Sequence, residues 1–155
     1  MSSKLKQKSL RYTGALYRAT NFRSDVKYKD YNLQKGQYMF LTRICENPGI
    51  NFMDLSAMLK VDKTTKTKAV QKLIEIGYVE KVQDELDKRG YKLTPTTKAL
   101  EIYNLIIKEE NRQLDICFKN FSEEEKIMAE KLLKRMSENI EEYWNELKVN
   151  KTGGR

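Results

Sequence analysis

Residues 55–90 read LSAMLKVDKTTKTKAVQKLIEIGYVEKVQDELDKRG and contain the start and stop signals of a helix and a hairpin. Asp62 is typical of a helix N-cap and Gly77 of a helix end, so the sequence predicts a helix over 62–76. The alternating residues that follow, with a polar turn between them, predict a β-hairpin over 78–94. A short helix before Asp62 carries leucines that can pack against this helix. The pattern therefore predicts a helix-turn-helix unit with a hairpin behind it.

Longer segments with helical periodicity lie on both sides of this unit. The predicted helices other than 62–76 span 5–28, 33–46, 52–59, 96–119 and 122–147. Ser122 followed by Glu125 forms a capping box at the start of the last one. Only two Pro and seven Gly occur among 155 residues, which favours long helices. The predicted fold class is mainly α with a small β-hairpin wing.

The composition excludes several classes of function. The chain has a formal net charge of +8, which indicates a polyanionic partner. It contains no histidine, and this removes the commonest general base and every histidine-ligated metal site. Neither a glycine-rich phosphate loop nor another catalytic motif occurs in the sequence. We therefore expect a protein that is not an enzyme and that uses no cofactor and no metal.

The cysteines and the hydropathy pattern indicate the compartment. Cys45 and Cys117 lie far apart and form no CxxC pair, which fits a reducing environment. Both fall on predicted apolar faces, where a thiol is usually inert. The basic N-terminus has no apolar segment behind it, and no stretch approaches ~18 consecutive apolar residues. We expect a cytoplasmic protein without a signal peptide or a membrane span.

The central motifs resemble those of the MarR family of bacterial regulators. Residues 33–38 (LQKGQY) are similar to the family's Leu-Thr-x-x-Gln-aromatic opening of its second helix. Residues 62–73 resemble its recognition helix, and residues 84–89 (DELDKR) match its wing signature Asp-x-x-Asp-x-Arg. Several residues depart from the pattern, and two of them lie in the helix-turn-helix unit. Lys60 stands where the family has a turn glycine, and Lys66 stands where it has an apolar residue facing the core.

The resemblance implies a transcriptional regulator, of the repressor type, that binds double-stranded DNA. It implies a homodimer on a pseudo-palindromic operator, with recognition helix 62–76 in the major groove and wing 78–94 in the minor groove. It also implies a small aromatic effector, bound between the dimer helices and the DNA-binding lobe, that releases the DNA. The implied regions are a helical dimerisation region over 1–32 and 96–148, a winged helix-turn-helix lobe over 33–95 and a flexible tail over 149–155.

Helical geometry and the resemblance together give the residues expected at the DNA. Threonine hydroxyls and methyls and lysine ammonium groups can read base edges, and they lie on the outward face near the helix start. By resemblance, Arg89 enters the minor groove, and we expect Asp87 to hold it through a charge-assisted hydrogen bond. The alternative is that these are ordinary solvated residues of a helix and a turn. The expected set is Lys63, Thr64, Thr65, Thr67, Lys68, Lys72, Asp87, Lys88 and Arg89.

Further expectations concern the other partners. The apolar stripes of the long helices, which include Ile140 and Leu147, would be exposed on a monomer. This favours a homodimer over a chain whose stripes fold back on their own domain. A winged-helix adaptor that binds protein instead of DNA is the alternative function. The candidates for an effector pocket are Tyr12, Leu16 and Tyr38, for which a place in the core is the favoured alternative.

Overall fold

The computed structural model describes residues 2–152, with side chains described through residue 148. Six α-helices dominate this part of the chain, and a small antiparallel sheet of three strands accompanies them. The mainly α winged helix-turn-helix fold predicted from the sequence is confirmed. The elements in chain order are α1 (Ser9–Lys27), a 3₁₀ turn (Lys29–Tyr31), α2 (Gln37–Glu46), β1 (Ile50–Asn51), α3 (Phe52–Leu59), α4 (Lys63–Glu75), β2 (Val79–Gln83), β3 (Tyr91–Pro95), α5 (Thr97–Cys117) and α6 (Glu123–Thr152).

The chain divides into two compact units between Glu110 and Asn111. The first unit contains every element from α1 to β3 and most of α5. The second unit contains the end of α5 and α6. Across residues 2–152, none of the helices is both long enough and apolar enough to cross a lipid bilayer.

The core of the first unit lies where α2, α3, α4 and the sheet meet. Leu55 of α3 and Leu73 of α4 are fully buried there, and Leu93 of β3 is buried with them. Complete burial of one leucine contributes ~1.5–3 kcal/mol, so this cluster holds the two helices of the helix-turn-helix unit together. The predicted packing of α3 on α4 is confirmed, with Leu59 and Ile74 partly buried at its edge.

Side-chain caps fix the two helix starts on either side of the turn. Asn51 Oδ1 accepts a hydrogen bond from the Asp54 backbone N–H at 2.8 Å, and Asp62 Oδ1 accepts one from the Thr65 backbone N–H at 2.7 Å. The Asp62 cap confirms the prediction from the sequence. Lys60 ends α3 at φ 54°, in the left-handed region that a glycine adopts without strain.

The hairpin is formed by β2 and β3, which pair antiparallel with Lys81 opposite Leu93. Strand β1 pairs with the other edge of β3 through Ile50, which also lies opposite Leu93. The strand order is therefore β1-β3-β2. The sequence does not predict β1, because two residues are too short for an alternating pattern.

The first two helices are shorter than predicted. Helix α1 begins at Ser9, four residues after the predicted start, and α2 begins at Gln37, four residues after its predicted start. Lys35 and Gly36 have φ values of 57° and 76°. Left-handed residues do not continue into a right-handed helix, so they delay the start of α2.

The last helix is longer than predicted. Helix α6 extends to Thr152, because no glycine or proline interrupts the sequence before Gly153. Helix therefore replaces the flexible tail that was expected over residues 149–152. The rest of that expected tail, residues 153–155, lies outside the described residues.

Candidate nucleic-acid interface

Helix α4 has one apolar face in the core and one polar face in solvent. Ala69, Val70 and Leu73 are buried, and this fixes the rotation of the helix. On the other face, side chains predicted to meet DNA are exposed, except for Lys72, which is half-buried. The exposed members on α4 are Lys63, Thr64, Thr65, Thr67 and Lys68.

The three threonines of this face differ in what their hydroxyl groups do. The Thr65 hydroxyl donates to Asp62 Oδ2 at 2.9 Å, as part of the cap of α4. The Thr67 hydroxyl donates to the Lys63 backbone carbonyl at 2.7 Å. These two residues keep a methyl group and an oxygen lone pair for another partner, because their protons are used inside the helix. Thr64, by contrast, has no side-chain hydrogen bond to another described residue.

The turn between β2 and β3 is built by carboxylates that bind backbone N–H groups. Asp84 Oδ1 accepts hydrogen bonds from the backbone N–H of Leu86 at 3.0 Å and of Asp87 at 3.5 Å. These backbone hydrogen bonds, the one from Leu86 foremost, lower the pKa of the Asp84 carboxyl group. Gln83 Nε2 donates to the Lys88 carbonyl at 2.6 Å, and this bond crosses the base of the turn. The tip of the hairpin is therefore an ordered structure.

Asp87 holds Arg89 through a hydrogen bond to the backbone of Arg89. Its Oδ1 accepts a hydrogen bond from the backbone N–H of Arg89 at 3.1 Å, so the carboxylate fixes the backbone and leaves the guanidinium out of the contact. Within residues 2–148, no ion pair engages the Arg89 guanidinium. Arg89 and its neighbour Lys88 are exposed, and both present their charge to solvent at the hairpin turn.

A cluster of lysines and aromatic rings joins α3, α4 and the hairpin, and the sequence does not predict it. Lys66 Nζ of α4 lies 5.6 Å from the centroid of the Phe52 ring, and Lys81 Nζ of β2 lies 5.5 Å from the same centroid. Lys81 Nζ also lies 4.1 Å from the centroid of the Tyr91 ring on β3. Cation–π contacts of this kind contribute ~0.5–2 kcal/mol each. The four residues lie far apart in the chain at irregular intervals, so no sequence pattern predicts that they meet.

The three residues considered for an effector pocket lie in different environments. Tyr12 and Leu16 are 67% and 50% exposed on α1, whereas Tyr38 is buried in the core. The Tyr38 ring packs against the Tyr28 ring, with centroids 5.2 Å apart. An open cleft of about 560 Å³ occurs in the second unit, and none of these three residues contributes to it. The cleft is lined by Lys119, Asn120, Phe121, Glu125, Met128, Ala129 and Leu132.

The thiols of the two cysteines differ in burial. Cys45 is half-buried, and burial, with a smaller effect of the Glu46 carboxylate, raises its pKa to about 11. A thiol with this pKa is almost entirely protonated at neutral pH and reacts slowly. Cys117 is exposed at the end of α5, which corrects the expectation that both cysteines face the core. The last turn of a helix need not continue the apolar stripe of the turns before it.

A capped basic helix that follows a tight turn, with an antiparallel hairpin behind it, defines the winged helix-turn-helix class of DNA-binding folds. The comparisons with known proteins narrow this class. A family model described as the MarR family matches residues 33–91. The HTH-type transcriptional regulator YybA from Bacillus subtilis is 40% identical over 139 residues, which span 90% of this chain and 93% of that protein. The chain belongs to the MarR family, as the resemblance predicts.

Solved structures agree with this assignment along almost the whole chain. A MarR protein from Peptoclostridium difficile is 59% identical, with a TM-score of 0.87 over 95% of this chain and 96% of that chain. A MarR family transcriptional regulator from Listeria monocytogenes, solved in complex with a 26mer DNA, is 37% identical. Its TM-score is 0.86 over 100% of this chain and 99% of that chain. The protein is therefore a transcriptional regulator and not an enzyme.

Proposed function

We propose that this regulator binds a pseudo-palindromic operator in double-stranded DNA as a homodimer, with α4 in the major groove and the β2–β3 hairpin in the minor groove. The observation that carries the proposal is the exposed polar face of α4, where Thr64 and Lys68 lie opposite the buried Val70 and Leu73. The DNA complex of the Listeria monocytogenes relative supports it, because that protein has the same fold over its whole length.

The chemistry of the α4 face suits base edges in the major groove. Lysine can donate to guanine O6 or N7, and the threonine methyl can contact the methyl group of thymine. Recognition helices read bases with residues near their N-terminus, and Lys63, Thr64 and Thr65 are the first three residues of α4. Lys68 follows one turn later, and we assign it to a base edge or to a phosphate beside it.

The chemistry of the hairpin suits the minor groove. Arg89 carries an exposed guanidinium on a turn whose backbone is held by Asp84 and Asp87. A·T-rich DNA narrows the minor groove and deepens its negative potential, which attracts arginine. We assign Lys88, which is adjacent and exposed, to the flanking phosphates.

The homodimer is supported by the second unit. Six large apolar side chains on α6 follow one another at intervals of three or four residues, so they lie on one face, and each is 39–58% exposed. An apolar stripe of this length is typical of a surface that another protein covers. A two-fold symmetric dimer would place two copies of α4 about one turn of DNA apart. The six residues are Met128, Leu132, Met136, Ile140, Tyr143 and Leu147.

We further propose that the regulator is a repressor whose DNA is released by a small aromatic effector. Tyr12 and Leu16 lie one helical turn apart on the exposed face of α1 and could form one wall of such a pocket. The wall would need a covering surface from a second copy. A phenolic ligand that displaces DNA from the wild type should lose its effect in the Leu16→Asp variant, because the substitution places a charge in the apolar wall.

Fluorescence anisotropy tests the DNA-binding proposal. The purified protein is titrated into labelled DNA from upstream of its own gene and, as control, into scrambled DNA of the same composition, over a series of salt concentrations. The proposal predicts tighter binding to the upstream DNA and an affinity that falls steeply with salt. Absence of binding to either DNA at low salt would contradict it and would favour the protein-binding adaptor.

A further inference from the structure

Leu86 lies at the tip of the hairpin with its side chain almost completely in solvent. It is 97% exposed, more than any other large apolar residue described as exposed. It is also the only apolar side chain in the turn, whose other residues are charged except for Gly90. Leu86 therefore contributes almost nothing to the stability of the fold through burial.

The backbone around Leu86 is fixed. Its N–H donates to Asp84 Oδ1 at 3.0 Å, and the Gly90 N–H donates to the Asp87 carbonyl at 2.9 Å. The Asp84 N–H donates in turn to the Gly90 carbonyl at 3.0 Å, which closes the turn. The ordered backbone of the turn keeps the isobutyl group in solvent, so little backbone conformational entropy is lost when a partner covers it.

Two of the three acidic residues of the turn use their carboxylates within the turn, and the third, Glu85, is exposed beside Leu86. Asp84 and Asp87 direct carboxylate oxygens at backbone N–H groups of the turn itself. Lys88 and Arg89 supply two exposed positive charges directly after Leu86 in the chain. Beside its three acidic residues, the turn therefore presents one apolar group and two cations to solvent, and these suit the sugar-lined walls and negative potential of the minor groove.

We infer that Leu86 enters the minor groove ahead of Arg89 and packs its isobutyl group against apolar atoms of the DNA there. This inference rests on the proposed function and adds a DNA-contacting residue to it. Proteins that bind the minor groove bring apolar side chains into it, leucine among them. Because leucine carries no charge, its contribution to affinity is independent of counterion release.

The test compares Leu86→Ala with Glu85→Ala and Leu86→Met in the anisotropy titration on the preferred DNA. Glu85 is the adjacent exposed residue, so Glu85→Ala is a matched truncation without loss of an apolar group. We expect Leu86→Ala to raise Kd about tenfold, since each dimer loses two apolar contacts. Glu85→Ala should bind at least as tightly as the wild type, and Leu86→Met should keep most of the affinity.

The salt slope and the melting temperature separate an apolar contact with DNA from a loss of charge contacts or of stability. The slope of log affinity against log salt should be the same for Leu86→Ala and the wild type, and the melting temperatures should also agree, because the side chain is exposed. Wild-type affinity in Leu86→Ala, or equal losses in Leu86→Ala and Glu85→Ala, would overturn the inference and leave the proposed function standing. Failure of the wild type to bind DNA would overturn both.

Discussion

Lys68 is the exposed cation on the second turn of α4. Within residues 2–148 its ammonium group forms no ion pair, so it is available to a ligand. If it donates to a base edge, Lys68→Ala should cost ~1–3 kcal/mol on the preferred DNA and much less on scrambled DNA. Anisotropy titrations on the two DNAs measure the difference. An equal loss on both would mean that Lys68 contacts only phosphate.

Arg89, unlike Leu86, carries a charge, so its contribution to DNA affinity should depend on the salt concentration. Arg89→Ala removes one cation from each hairpin, so the affinity should fall and the salt slope should become shallower by about two units for a dimer. The control is Lys134→Ala, which removes the same charge from an exposed position on α6. An unchanged salt slope for Arg89→Ala, or the same change in the control, would contradict the placement of the hairpin.

Contacts between residues close together in the chain could be predicted from the sequence. Contacts between distant parts of the chain could not. Asp62 is recognised as a cap because the N–H group that it binds lies only three residues away in the chain. Phe52 and Lys81 meet only after α3 and the hairpin have packed, so their contact leaves no local trace. Arg89 is predicted by its motif, but the geometry of the turn decides that the Asp87 carboxylate binds its backbone N–H and not its guanidinium.

At the scale of the elements, the turn between α3 and α4 contains a strained residue. Lys60 adopts φ 54°, a conformation that costs a non-glycine residue on the order of 1 kcal/mol. Lys60→Gly should therefore raise the melting temperature by ~2–4 °C, as measured by circular dichroism. Lys60→Ala keeps the strain and loses the hydrogen bond from Lys60 Nζ to the Ala57 carbonyl, so it should be no more stable than the wild type. A Gly variant that melts below the Ala variant would contradict this account.

Helix α5 carries a carboxyl group whose titration should affect stability. Burial, reinforced by Glu46 and opposed by Arg43, raises the pKa of Glu110 above its ordinary value. The folded state therefore holds this proton more tightly than the unfolded chain, and stability falls as pH rises between the unfolded and folded pKa values.

The measurement is the melting temperature of Glu110→Gln as a function of pH. The substitution removes a partly buried charge, so the variant should be more stable than the wild type at neutral pH and similar to it below pH ~4. Glu101→Gln, an exposed position on the same helix, is the control and should show little difference at either pH. A Glu110→Gln variant that is less stable at neutral pH would show that the attraction of Arg43 exceeds the cost of burial.

Helices whose ends carry capping residues or helix-breaking residues could be predicted almost to the residue. Helix α3 spans Phe52–Leu59 as expected, and α4 ends within one residue of its expected end. Apolar periodicity that continues through Leu33 predicts too early a start for α2, because the left-handed backbone at Lys35 prevents a helix there. Periodicity reports which side chains are buried, and it does not report the backbone angles between them.

At the scale of the whole molecule, the apolar stripe on α6 predicts the oligomeric state. Ile140→Glu would place a carboxylate in an apolar interface, which costs several kcal/mol. We expect the wild type to have twice the chain mass of 18.3 kDa in light scattering and the variant to have a single chain mass. DNA affinity should fall more than tenfold, because one monomer holds only half of the operator.

The control for this variant is Lys134→Glu, which introduces the same side chain on α6 between Leu132 and Met136 but on the opposite face. It should remain a dimer and keep most of its DNA affinity. A wild type of single chain mass, or a variant that stays dimeric, would contradict the assignment of the stripe to a second copy.

The central claim is that one copy of the protein occupies both grooves and that two copies lie side by side on the DNA. Methylation interference measures this directly, because dimethyl sulfate modifies guanine N7 in the major groove and adenine N3 in the minor groove. The account predicts two blocks of interfering guanines about one turn of DNA apart, with interfering adenines at the sites reached by the hairpins. Interference by adenine N3 alone, or a single block of guanines, would contradict it.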